Sequence, residues 1–156
     1  MWGFPIFLAA AAFGLDFFVE TDQEKICKVI YTAAKAVEEE NPAAIEAVIA
    51  NSYSDSYHKT KKHLLYHCNA RLSEPIVEKN IARIVSIEQV NPKAAVIFTV
   101  RILFDKRSYV RQLYKQEIFV KAKADVAKQQ DGGWLIDRAE ILELDRVAAT
   151  WGDIEQ

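Results

Sequence analysis

All three histidines of the chain, His58, His63 and His67, fall within one stretch of ten residues. His63 and His67 stand four apart, so a helix would carry both on one face, the spacing that a zinc pair uses. The stretch "HLLYH" has no glutamate between them, which departs from the metalloprotease pattern, and Asp55 is the nearest acid that could complete a ligand set. We therefore expect neither a metal nor another cofactor. Read without a metal, His67 lies at the edge of helix packing, with His58 and His63 on the surface. Lys61, Lys62 and His63 open the same segment, where a helix dipole disfavours positive charge by roughly a few tenths of a kcal/mol per group. With "YHKTKKH" they form a basic, aromatic-flanked patch that reads either as a solvated cluster or as a contact for an anionic ligand or lipid headgroups. Cys27 and Cys68 lie in different segments without CxxC spacing, which removes a zinc ribbon or redox motif. They read as small buried hydrophobes, with a disulfide as the alternative.

The chain that must position these groups has 156 residues, 51% of them hydrophobic, and a formal net charge of −2. That suffices for one domain with a real core. It lacks the basic excess that a phosphate backbone requires, so nucleic acid is not an expected partner.

The first 20 residues stand apart. "WGFPIFLAAAAFGLDFFV" is apolar except for Asp16, and as a helix at ~1.5 Å per residue it approaches the ~30 Å hydrocarbon core of a bilayer. It reads as a membrane anchor through residues 1–19, with a cleaved signal or an apolar helix packed on protein as alternatives. Glu20 and Asp22 after it do little to set orientation, but the lack of basic residues on this side leads the anchor reading to place the C-terminal domain outside the cytoplasm; a soluble protein is the alternative.

From Thr21 the pattern is helical. Thr21 and Glu24 have capping-box spacing, followed by Ile26, Val29, Ile30, Ala33 and Val37 at helical intervals. Asn41 and Pro42 start a short second helix with Ile45, Val48 and Ile49 on one face. Thr60 caps a third, whose stripe is Leu64, Leu65, Cys68 and Leu72. At Ile76 the period changes. "IVEKNIARIVSIEQV" turns through Asn91, Pro92 and Lys93 into "AAVIFTVRILF", apolar on alternating positions of both faces. A turn over Asp105 to Ser108 leads into a long strand, "YVRQLYKQEIFVKAKADV", and the turn Asp131-Gly132-Gly133 into "WLIDRAEILEL". The expected fold is α+β, three helices packed on a curved antiparallel sheet of three or four long strands. Residues 146–156 read as a tail. Arg83, Arg101 and Arg111 on strands read as wet-face or ion-paired groups.

The stretches "AIEAVIANSYSDSYH", "PKAAVIFTV" and "DGGWLIDRAEIL", in this order of elements, resemble the nuclear-transport-factor-2-like superfamily, also called the polyketide-cyclase-like or ketosteroid-isomerase-like cone, over residues 21–145. The resemblance implies a cystatin-like cone whose concave face can leave a pocket for a small apolar ligand. It also implies a homodimer through the convex sheet, whose second strand needs cover on its far face. Tyr53, Tyr57 and Tyr66 would cluster near the pocket mouth, and these with His58 are the candidate ligand contacts. Isomerases of this kind use a tyrosine on the first helix and a carboxylate after the second, which points to Tyr31 and Asp55 as candidate catalytic residues; Asp125 is the further candidate acid. "SYSDSY" reads as polar enough to leave Asp55 hydrated, with an ordinary pKa. The leading expectation is thus a non-catalytic binding or assembly module, and the competing one a small-molecule isomerase, dehydratase or cyclase.

Overall fold

The computed structural model describes residues 20–154. The apolar segment read as an anchor, residues 1–19, lies outside the described residues. Helix α1 (Asp22–Glu38) begins where the capping box placed it: Glu24 N donates to Thr21 Oγ1 at 3.2 Å and Thr21 N to Glu24 Oε2 at 2.7 Å. Its apolar stripe buries Ile26 and Ile30 completely. Helix α2 (Pro42–Val48) starts on Asn41, whose Oδ1 accepts from Ala44 N, and α3 (Lys61–Arg71) on Thr60, whose hydroxyl accepts from His63 N. Each cap meets one of the amides that a helix start leaves without an intrahelical partner.

The sheet is a meander of strands β1 (Val77–Val90), β2 (Lys93–Phe104), β3 (Glu117–Lys128), β4 (Trp134–Leu144) and β5 (Val147–Ala148), every neighbouring pair antiparallel. Register shifts at Val77/Lys79 and Ile84/Ser86 in β1, and opposite Asp125/Val126 and Lys121/Ala122 in β4, mark bulges that bend and twist the sheet. The helices cover the concave face. There Ala94, Val96 and Val100 of β2 meet Val120, Ala122, Ala124 and Val126 of β3, all buried. The alternate residues, among them Ile97, Thr99, Arg101 and Leu103, lie on the convex face and are half-buried. Among the described residues β2 is therefore covered on one side, not on both.

Two expected elements differ. The long strand from Tyr109 is instead a short helix, α4 (Tyr109–Leu113), capped by Ser108 before β3 starts at Glu117. Residues 109–113 spend their amides on this cap and turn instead of on a ladder, which the β-forming tyrosines and valine of "YVRQLY" concealed. Residues 146–156 are not simply a tail: they include β5, and the turn α5 (Trp151–Ile154) returns Trp151 to the sheet, its Nε1 donating to Ala139 O at 2.8 Å.

The hairpin between β3 and β4 closes the core. Gly132 has φ +84, a conformation that a side chain would strain, and Gln129 N donates to Gly133 O across the turn. Trp134 follows, buried against α1, where its indole N–H donates to Asp22 Oδ1 at 3.1 Å. Lys128 ion-pairs with the same carboxylate at 2.9 Å, and these two bonds hold Asp22 below its ordinary carboxylate range.

Candidate functional site

Between the helices and the concave face lies a cavity of about 230 Å³. Its walls come from Ile30, Ala33 and Val37 of α1, Leu64 and Cys68 of α3, Phe98 and Val100 of β2, Ala122 and Ala124 of β3, and Trp151. The space exists because the sheet presents alanine where its neighbours present valine: Ala122, Ala124 and Ala139 cannot reach the helices that curvature holds away from them. Polar groups on the wall are few. Tyr53, Asn80 and Glu140 supply them.

The loop joining α2 to α3 runs along β4, with Ala50 N donating to Ile136 O and Ser54 N to Asp137 O. At its centre Asp55 is buried, 4% exposed. Its Oδ1 accepts from the backbone of Tyr57 at 2.7 Å and of His58 at 2.6 Å. Its Oδ2 accepts from the Tyr53 hydroxyl and lies 2.9 Å from His58 Nδ1. Because the carboxylate is an acceptor only, Nδ1 carries the proton. Burial by itself would push Asp55 up, but the bonds from Tyr53, His58 and Tyr57 outweigh it and hold the carboxyl below its usual range. Tyr53, buried beside that carboxylate, is pushed far up and stays neutral.

These positions correct the expectation of a hydrated Asp55. The carboxylate caps its own turn and draws two neighbouring side chains onto itself, so a locally polar sequence folds inward. His58, expected on the surface, is 1% exposed and meets the edge of Trp151 at 5.1 Å between ring centroids. His63 and His67 pack near it, at 5.4 and 5.1 Å, and Tyr57 lies against all three imidazoles. The rings meet mostly edge to face, and among the described residues no group of three or more metal-ligating side chains is arranged to hold an ion. Nor do the three tyrosines gather at one mouth. Tyr53 lines the cavity; Tyr57 is partly exposed above the imidazoles; Tyr66, 70% exposed, borders a surface groove on α3 with Lys61 and Lys62.

Tyr31 lies on the exposed side of α1, and Asp55 takes none of its hydrogen bonds. Asp125 sits on the convex face near Lys123, and Arg101 and Arg111 pair with Glu117 and Glu78. None of these four reaches the cavity wall. Cys27 and Cys68 are not joined by a disulfide and lie partly buried. Glu140 is the acid that does reach the wall. It accepts from Ser56 N at 2.8 Å and Ser56 Oγ at 2.6 Å and pairs with Arg138. Sequence reasoning passed over Glu140, Asn80 and Trp151; of the cavity itself the available signal was the alternation of alanine with charged residues in "VKAKADV".

No family model and no curated protein matches the chain. Solved structures do. An NTF2-like protein from Cytophaga hutchinsonii superposes with a TM-score of 0.62 at 10% identity, covering 83% of this chain and 99% of that one. A protein of unknown function with a cystatin-like fold from Nostoc punctiforme gives 0.61 at 16% identity, over 80% and 92%. A ketosteroid isomerase-like protein from Erwinia carotovora gives 0.57 at 11%, over 72% and 88%. At such identities the likeness shows the fold, an NTF2-like, cystatin-like α+β cone, as the resemblance read from the sequence implied.

Proposed function

We propose that this cone is a non-catalytic module that binds a small, largely apolar molecule in its cavity. The carrying observation is the chemistry of the wall: hydrocarbon on nearly every side, with Glu140 already engaged by Ser56 and Arg138. A general base needs a carboxylate that meets the substrate and is desolvated enough to take its proton near neutral pH. Asp55 instead spends both oxygens on four donors, and Tyr31 is 46% exposed. This removes support from an isomerase, dehydratase or cyclase built on that pair. A volume of 230 Å³ lies below the ~300–1,000 Å³ typical of drug-sized ligands, so a compact occupant fits.

Indene, a purely apolar bicycle, is a suitable probe. At 100 times its dissociation constant it should stabilise the protein by about 2.7 kcal/mol, visible as a raised melting temperature. Ala33→Leu, which fills the space from α1, should abolish that shift while leaving a cooperative melt. An indene response equal in the two proteins, or none in either, rejects the reading.

The module is further proposed to be held at a membrane by residues 1–19, with the domain outside the cytoplasm, and to pair with a second copy through the convex sheet. The first idea is supported by the apolar run itself; among the described residues no helix is long and apolar enough to cross a bilayer. The second is supported by Ile97, Leu103 and Phe119, the last 44% exposed, gathered on one open face. Fractionation should leave the full chain with membranes and release a chain starting at Thr21, whose mass by light scattering should be that of a dimer. A full chain that stays soluble without detergent contradicts the anchor, and a monomeric mass contradicts the pairing.

A further inference from the structure

Resting on the reading of the cavity as a ligand site, we infer that its occupant is a neutral molecule carrying one hydrogen-bond donor, a hydroxyl or N–H of the alcohol, phenol or indole type, which Asn80 Oδ1 accepts. Asn80 stands on β1 opposite Ile102, and its backbone N–H donates to Glu38 Oε2 at 2.9 Å. Its side-chain Nδ2 donates to the Ala34 carbonyl of α1 at 3.0 Å. That bond fixes which way the amide is turned, because only the nitrogen can serve a carbonyl. Oδ1 is thereby left buried, with no donor from the described residues within reach, in a side chain that forms part of the cavity wall.

The other polar groups of the wall do not compete for this role. The Tyr53 hydroxyl is committed to Asp55, and Glu140 is satisfied by Ser56 and Arg138. A buried acceptor without a donor is uncommon, and it is costly for any ligand that leaves it so. Discrimination follows from that asymmetry. An occupant with a donor gains a bond shielded from water, whereas an isosteric hydrocarbon covers the oxygen and offers nothing. Among the described residues an anion finds no lysine or arginine on the wall, so a carboxylate or phosphate is selected against.

The test compares isosteric probes on the full-length chain. Indole should bind about tenfold more tightly than indene by ligand-observed NMR, a difference of about 1.4 kcal/mol. Cyclohexanol should likewise exceed methylcyclohexane, a comparison that needs no variant. Asn80→Leu should keep or improve indene binding while indole loses its advantage. If indene binds the wild type but indole binds no better, or if Asn80→Leu retains the preference, the assignment to Asn80 is overturned and the apolar-site reading stands. If no probe binds, the apolar-site reading falls and the inference with it.

Discussion

Trp134→Ala is expected to destabilise the protein by about 3–5 kcal/mol, the range for deleting a buried aromatic ring, out of the 5–15 kcal/mol that a domain typically has. The ring is 3% exposed and ties together the hairpin and the first helix, through its packing in the core and its N–H bond to Asp22. Its removal therefore leaves a void and deprives Asp22 of one of two partners at once. In a chain of this length such a loss lowers the melting temperature by about 10 °C or more. Trp134→Phe keeps part of the ring volume while dropping the N–H donor, and should cost less than the alanine substitution. A melting temperature unchanged by the alanine substitution would show that the hairpin does not seal the core.

Asp55→Ala is expected to be of similar size, about 3–5 kcal/mol, although the residue contributes almost no hydrophobic contact. Four donors converge on its carboxylate, two of them buried side chains, and each buried donor left unmet costs ~1–3 kcal/mol. Asp55→Asn keeps one carbonyl oxygen for the turn and should be milder. The two proteins should also differ in acid. Folding lowers the pKa of Asp55 from its ordinary value of 3.8, so its contribution is complete above that value and is lost as the pH falls through the lower folded one. Wild-type stability should therefore fall more steeply with acid below about pH 4 than that of Asp55→Asn, as measured by denaturant midpoints across pH 2–7. Parallel curves would mean that the carboxylate holds nothing together.

The parts of this fold that were legible in the sequence rest on local physics. Thr21, Asn41 and Thr60 cap the helices they were expected to cap because a short polar side chain before an apolar stripe has one good use. Trp134 after two glycines marks a hairpin and an anchor together. The site was less legible, since burial of Asp55 depends on groups far away in sequence. The loop carrying it is pinned to β4 by backbone bonds that no composition of "SYSDSY" announces, and Trp151 reaches it from beyond the last long strand. Tyr66 lies away from the cavity for the opposite reason: it faces outward on α3, beside the surface groove, and a stripe read as Leu64, Leu65, Cys68 and Leu72 already implied as much. Asn80 was hidden because an asparagine in a mixed strand gives no sign of which face it takes when bulges shift the register around it.

Trp151 also bears on how fast the cavity could exchange its contents. It forms part of the wall, yet it belongs to a single helical turn outside the core cluster, fastened to the sheet by one indole bond to Ala139 and an edge contact with His58. Among the described residues, opening that wall breaks these local contacts and leaves all four long strands paired. Entry and departure can therefore proceed by local opening of this turn, at a free energy below that of global unfolding. A ligand held here would pass beside Trp151, whose indole would report its arrival by fluorescence.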